Sequence, residues 1–169
     1  MASSTSSCVP TSFVLSSVPP TAFTYVAEGG ANLVAAYTGD NEDTKSVDNN
    51  HDHADFLRGT VLRIRKKALG APILSESTLK EEDASVSFTD IAVVPLLPPH
   101  STPRLINIPI NDKTWMEALA KHLQASRPAS RRLIDEIDTE RGYVVLADNL
   151  VGTANDDSMQ LAVEIKVSS

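Results

Sequence analysis

The stretch YVAEGGANLVAAYTG, from Tyr25 to Gly39, decides the expected fold of this chain. Phe23 and Tyr25 alternate with smaller residues before the adjacent pair Gly29 and Gly30, and the apolar run NLVAAY follows. This pattern predicts a strand, a tight glycine turn and a second strand. Successive backbone N–H groups in such a turn can bind an anion, and glycine allows a phosphate to approach closely. Two interpretations stay open from this stretch alone, an ordinary hairpin and a phosphate-holding loop.

The next apolar segment, RGTVLRIRKK, predicts a third strand. Its alternation places Leu62 and Ile64 on one face and Val61, Arg63 and Arg65 on the other. The basic face has two interpretations. It is either a solvated strand surface or a source of a cation that reaches back to a phosphate held by the glycine turn.

The rest of the chain predicts one good helix and two further strands. NDKTWMEALAKHLQASRP has an apolar residue at every fourth position, Asn111 or Asp112 as the N-cap, and Pro128 just beyond its end. GYVVLADN and MQLAVEIKV are typical of buried strands. The acidic stretch DNEDTKSVDNNHDHAD predicts a surface loop, and GAPILSESTLKEEDAS a loop that ends in a short helix. The order of elements predicts an α+β domain with a mainly antiparallel sheet.

Composition narrows the function classes. The chain has 169 residues, a net charge of −7 and a single cysteine, Cys8, so it can form no internal disulfide and a reducing compartment is expected, cytoplasmic or nuclear. No apolar run reaches the roughly 20 residues of a membrane helix. Acidity opposes general nucleic-acid binding, yet eight of the 15 basic residues lie in two short segments, Arg58–Lys67 and Arg127–Arg132. The segment 1–20, rich in Ser, Thr and Pro, predicts a flexible tail.

Three other groups of polar residues are candidates for sites. Arg127, Arg131 and Arg132 in SRPASRR follow the helix directly, and they either complement its dipole or bind phosphate. The cluster HDHAD resembles a set of metal ligands, but a polar loop gives such ligands no fixed geometry. Glu164 and Lys166 share one face of the last strand, where they either pair with each other or belong to a site.

Taken together, these blocks resemble the inositol-pentakisphosphate 2-kinase family. YVAEGGANLVAAYTG resembles the glycine-loop block of the family, and GTVLRIRK resembles the strand after it. VVPLLPP and SRPASRR resemble its Pro-Leu-Leu and Arg-Pro-x-x-Arg blocks, and LAVEIK resembles the start of its Glu-x-Lys-Pro-Lys signature. The resemblance implies a kinase-like N-lobe with a glycine-rich hairpin and one or two helices. It also implies ATP and Mg²⁺ as cofactors and inositol pentakisphosphate as the substrate, in a monomeric protein that binds neither nucleic acid nor membranes.

The resemblance assigns roles to matching positions. The ATP site would comprise the glycine loop, a cation on the third strand, an acidic residue at the hinge and two residues of the last strand: Ala27, Glu28, Gly29, Gly30, Asn32, Arg63, Asp148, Glu164 and Lys166. Arg127 would hold a phosphate of the inositol substrate, with Arg131 as a helper. The expected reaction transfers the γ-phosphoryl group of ATP to the 2-hydroxyl, giving inositol hexakisphosphate, phytate. A non-catalytic module that binds inositol phosphates or other anions is the alternative.

The sequence also departs from the family pattern. Val26 stands where the family has arginine, and Ala27 where it has glycine. After Lys166 the family continues Pro-Lys, whereas this chain reads Val-Ser-Ser. We therefore expect residues 21–169 to form an N-lobe, with the catalytic base and the metal ligands in a C-lobe that is missing here. The expectation includes no catalytic residue and no metal ligand within the chain.

Overall fold

A computed structural model of the chain describes residues 13–39, 51–70, 84–96 and 104–149. Their main feature is a six-stranded, wholly antiparallel sheet with a few helices, so the predicted α+β class is confirmed. The strands are β1 (Phe23–Glu28), β2 (Asn32–Tyr37), β3 (Thr60–Ala68), β4 (Leu105–Pro109), β5 (Asp135–Ile137) and β6 (Tyr143–Asp148). The predicted last strand, MQLAVEIKV, lies outside the described residues.

The sheet has the order β1-β2-β3-β6-β4, and β5 pairs with the end of β3. β3 is therefore the central strand, and its two halves have different neighbours. Its first half pairs with β6, where Thr60 lies opposite Asp148. Its second half pairs with β5, where Lys66 lies opposite Ile137. The glycine turn lies at this second end, since Asn32 pairs with Arg65.

Two of these strands were not predicted from the sequence. β4 follows a proline-rich stretch and ends at Pro109, which argues against a strand unless it lies at an edge. β4 pairs only with β6, so it is such an edge strand. β5 has three residues, Asp135, Glu136 and Ile137, too few for alternation to show. Asp135 is nevertheless buried, because its partners are basic side chains from other elements.

Four α-helices lie among the described residues: α1 (His51–Leu57), α2 (Ala84–Phe88), α3 (Lys113–Ser126) and α4 (Ala129–Arg132). α2 continues into a π-helical turn, Thr89–Val93, and a 3-10 turn, Val94–Leu96. The expectation of a surface loop throughout DNEDTKSVDNNHDHAD is wrong for its last part. The helix forms there because Leu57, just after the polar residues, is fully buried and anchors α1 on the core.

Helix α3 confirms the helix predicted between Asn111 and Pro128. Asp112 is the N-cap, and its Oδ1 accepts a hydrogen bond from the Trp115 N–H at 3.0 Å. Met116, Leu119 and Leu123 are buried with Trp115, so a single apolar face of the helix covers the sheet. The helix stops at Arg127, whose backbone is extended as expected for a residue before proline.

The core joins this helix to the sheet and extends into the N-terminal segment. Phe23 is fully buried and meets the Trp115 ring edge-on, with the ring centroids 6.2 Å apart. Leu15 and Val18 are buried in the same core, and the Val18 carbonyl accepts a hydrogen bond from Trp115 Nε1 at 2.6 Å. The expectation of a flexible tail over residues 1–20 is therefore wrong for residues 13–20, because Leu15 and Val18 are buried in the core that contains Trp115. Residues 1–12 lie outside the described part.

Within the described ranges, every helix is too short or too polar to cross a membrane.

Candidate functional site

The glycine turn between β1 and β2 is open on its outer side. The Gly29 N–H donates to the Asn32 carbonyl at 2.9 Å and closes the turn. Gly29 and Gly30 are exposed, neither has a left-handed φ, and a Cβ on either would meet no atom within 4 Å. Neither the backbone nor the packing therefore requires glycine here. The turn thus has room for a ligand close to its backbone N–H groups, and the ATP contact stays a prediction.

The sequence-predicted residues around this turn occupy different environments. Ala27 is exposed, and a β-bulge lies between Tyr25 and Ala27, at Val26. Asn32 is half-buried at the start of β2. The side chain of Glu28, by contrast, is only 2% exposed. Its carboxylate faces the interior. Glu28 would therefore act in ATP binding indirectly, by holding the glycine turn in position.

Arg63 lies in the middle of β3, between Val34 of β2 and Val145 of β6. It projects from the face opposite the fully buried Leu62 and Ile64, which confirms the alternation expected for this strand. Arg63 is half-exposed, and within the described ranges it has no ion-pair partner. Its predicted contact with the nucleotide phosphates stays a prediction.

Asp148 lies at the end of β6, at the opposite end of the sheet from the glycine turn. Its Oδ2 accepts a hydrogen bond from the Arg104 N–H at 2.9 Å, and its Oδ1 accepts one from Arg104 Nε at 3.1 Å. The side chain stays 38% exposed. Asp148 pairs with Thr60 while Asn32 pairs with Arg65, so about 17 Å of strand separates the two positions.

Arg127 is fully engaged inside the protein, with a side chain that is 0% exposed. Its Nη2 donates to Glu28 Oε2 at 2.6 Å and makes a second, shorter contact with Asp135 Oδ1. Its Nη1 donates to Gln124 Oε1 at 3.0 Å and to the Asp135 carbonyl at 3.1 Å. These bonds raise the pKa of Arg127 against the opposing effect of burial. Arg131, on the short helix α4, is exposed.

The structure brings Lys66 and Asp135 to the same place, and neither was expected from the sequence to belong to a site. Lys66 Nζ donates to Glu28 Oε2 at 2.8 Å and to Asp135 Oδ2 at 2.9 Å. Glu28, Lys66, Arg127 and Asp135 therefore form one buried cluster with two positive and two negative charges, the ion cluster. The sequence did carry a signal for Lys66. Side chains alternate along a strand, so Lys66 shares the buried face of β3 with Leu62 and Ile64. No comparable pattern marks Asp135.

Electrostatics in the ion cluster favour the charged forms. Burial opposes ionisation of Glu28 and Asp135, but hydrogen bonds from Arg127 and Lys66 outweigh it and lower the pKa of both carboxyl groups. Tyr25 lies beside the cluster. Its pKa is raised, first by burial and then by the negative charge of Glu28, and Arg131 is among the cations that oppose the rise. Arg131 is thus within electrostatic reach of Tyr25, the neighbour of the cluster.

Two predicted site residues and the question of a metal site remain. Glu164 and Lys166 lie outside the described residues. The described part of the chain contains no group of three or more His, Cys, Asp or Glu side chains placed to hold a metal ion.

The antiparallel sheet, the exposed glycine turn between its first two strands and the partly exposed arginine on the third strand agree with a kinase-like N-lobe. The family model for inositol-pentakisphosphate 2-kinase matches residues 25–166, most of the chain. The chain therefore belongs to the inositol-pentakisphosphate 2-kinase family, which confirms the resemblance of the sequence blocks. A search of curated proteins found no match.

Proposed function

We propose that this chain acts in the transfer of the ATP γ-phosphoryl group to the 2-hydroxyl of inositol pentakisphosphate, giving inositol hexakisphosphate. The observation that carries the proposal is the family match over residues 25–166, which includes every proposed site position. Phosphoryl transfer depends mostly on positioning and on stabilisation of negative charge, so open backbone donors and free arginines are the groups that it needs.

The nucleotide would lie along the sheet. In this arrangement the N–H groups of the glycine turn and the Arg63 guanidinium bind the phosphates, and Asp148 lies near the adenine or ribose. The wide separation of the turn from Asp148 suits an extended ligand. ATP supplies the phosphoryl group, and Glu164 and Lys166 remain proposed nucleotide contacts on the resemblance alone. Mg²⁺ remains a proposed cofactor on the resemblance alone, and we assign no step to the metal.

Arg131, which is exposed like its neighbour Arg132, is a better candidate than Arg127 for a phosphate of the inositol substrate. Arg127 was expected to make this contact, but its donors are occupied by Glu28, Gln124 and Asp135. We therefore propose that Arg131 contacts the substrate and that Arg127 fixes the turn that carries it. A guanidinium forms forked hydrogen bonds with phosphate, which suits a substrate with several phosphate groups.

The test combines turnover with binding. The purified chain is incubated with Mg·ATP and inositol pentakisphosphate, and the product is separated by anion-exchange chromatography. Calorimetric titrations then measure each ligand with the wild type, Arg63→Ala, Arg131→Ala and the control Arg132→Ala. A lost charge-assisted hydrogen bond costs about 1.5–3 kcal/mol, or roughly 10- to 150-fold in affinity. We expect Arg63→Ala to weaken ATP and Arg131→Ala to weaken the inositol phosphate, with Arg132→Ala close to wild type.

Three outcomes would contradict parts of this proposal. Binding of both ligands without product would refute catalysis by this chain and retain the site. Binding of the inositol phosphate without ATP would favour the anion-binding module. Equal effects of Arg131→Ala and Arg132→Ala would remove the special role of Arg131.

A further inference from the structure

We propose that Lys66 and Asp135 are positioning residues that, through Glu28 and Arg127, hold the glycine turn and the Arg131-bearing turn in one fixed arrangement. The inference rests on the proposed function, because it concerns the same site. It assigns a role to two residues that make no expected contact with ATP or the inositol phosphate.

The connectivity of the ion cluster is the first argument. Lys66 contacts both carboxylates, Glu28 at 2.8 Å and Asp135 at 2.9 Å, and Arg127 contacts the same two carboxylates. Each cation therefore bridges both anions, and the four side chains form a closed ring. Loss of one member changes the surroundings of the other three.

Two members of the ring lie next to the two turns of the proposed site in the sequence. Glu28 immediately precedes Gly29, so its anchored side chain fixes one end of the glycine turn. Arg127 immediately precedes Pro128 and the helix α4, Ala129–Arg132, which carries Arg131. The ring thus joins the expected nucleotide side of the site directly to the expected inositol-phosphate side.

Burial of the four charged side chains makes the connection between the two turns rigid. The side chains of Lys66, Glu28, Arg127 and Asp135 are 1%, 2%, 0% and 11% exposed. An unpaired charge at such depth is costly, so a partly opened ring is disfavoured and the cluster is either complete or disrupted. The lowered pKa values of Glu28 and Asp135 agree with a ring whose members stay ionised at neutral pH.

Backbone hydrogen bonds reinforce the same connection through β3. The Lys66 N–H donates to the Ala31 carbonyl in the glycine turn at 2.9 Å. Further along, the Leu69 N–H donates to the carbonyl of Ile134, next to Asp135, at 3.3 Å. The end of β3 therefore contacts both turns, and the ion cluster lies between them.

Hydrogen exchange tests the coupling without any ligand. Asp135→Asn keeps the shape of the side chain and removes its charge, and Glu136→Gln is the matched control because Glu136 pairs with Lys67 at the surface, at 3.4 Å. We expect Asp135→Asn to accelerate exchange of amides in residues 29–32, far from the substitution in sequence, and in residues 129–134. Glu136→Gln should leave both segments as in the wild type. Faster exchange confined to β5 and the adjoining part of β3 would overturn the inference.

Ligand binding tests whether this coupling positions the site. If the competent arrangement falls to about a tenth of the folded molecules, apparent affinity falls about tenfold. We therefore expect Asp135→Asn to weaken Mg·ATP and inositol hexakisphosphate by similar factors, under conditions where Trp115 fluorescence reports a folded protein. Wild-type affinity for both ligands in folded Asp135→Asn would assign the residue a purely structural role and overturn the proposal.

A second variant covers the case in which Asp135→Asn does not fold. Lys66→Arg keeps the charge and changes its geometry, so it should loosen the two turns together and less severely. Unchanged exchange in both turns would overturn the inference. If the wild type binds neither ligand, the proposed function is refuted, whereas coupled loss of protection in the two turns would still support the connection between them.

Discussion

Replacement of Lys66 by methionine is the sharpest test of the ion cluster. The change keeps the length and apolar stem of the side chain and removes one buried positive charge. Lys66 Nζ lies 2.8 Å from Glu28 Oε2 and 2.9 Å from Asp135 Oδ2. Without it, Arg127 alone must balance two buried carboxylates.

The magnitude follows from these distances and the burial. At an effective dielectric constant of about 20, each of the two ion pairs contributes about 6 kcal/mol of attraction. The substitution also removes the cost of burying the ammonium group, which is several kcal/mol. The repulsion between Lys66 and Arg127 offsets more of the attraction, and we take the typical loss of about 3–5 kcal/mol for removal of one partner of a buried ion pair as the expected magnitude. Such a loss is a large part of the 5–15 kcal/mol that stabilises a typical domain.

The protein offers a built-in probe for the assay. Trp115 is the only tryptophan, it is buried, and its Nε1 donates to the Val18 carbonyl. Its fluorescence therefore follows urea unfolding of the core. Lys67→Met is the matched control, because Lys67 is the neighbouring lysine and its pair with Glu136 is partly exposed. The control should lose no more than about 1 kcal/mol.

A loss of less than about 1 kcal/mol in Lys66→Met, equal to that of Lys67→Met, would refute the reasoning. The double variant Lys66→Met/Asp135→Asn provides an independent check. It restores the charge balance between Arg127 and Glu28, so its loss of stability should be smaller than the sum of the two single losses. Strict additivity would show that the four charges do not act as one cluster.

Two further predictions concern pH and helix capping. The folded protein lowers the pKa of Glu28 and Asp135 below their ordinary values of 4.5 and 3.8. Their contribution to stability is therefore fully present above those values. It is lost as the pH falls through the lower pKa values of the folded state. The urea midpoint should therefore fall in acid, less so in Lys66→Met, and a wild-type midpoint that stays flat down to about pH 3 would contradict this. Asp112→Ala should lower the free energy of unfolding by about 1 kcal/mol through loss of the N-cap, with Asn111→Ala as the control, and equal effects of the two variants would reject the cap assignment.

Local patterns account for the parts of the fold that sequence reasoning predicted. Alternation in β1, β2 and β3, the continuous apolar run of β6, the glycine pair and the capped helix α3 are all encoded by residues near one another in the chain. The wrong expectations share a cause. Helix α1, which ends at Leu57, and the segment 13–20 are ordered because they pack on a core assembled from distant residues. Strands β4 and β5 are defined only by the strands beside them.

The candidate site divides in the same way. The sequence determined the family and the positions of the glycine turn, Arg63 and the arginines after α3, because spacing along the chain carries that information. Tertiary structure decided which charges are free. Glu28 and Arg127 are 99 positions apart, and Lys66 and Asp135 are 69 apart, so no local pattern could pair them. Burial gives Arg127 its partners inside the protein, because a charge without water must be paired there, and its predicted contact with the substrate stays untested.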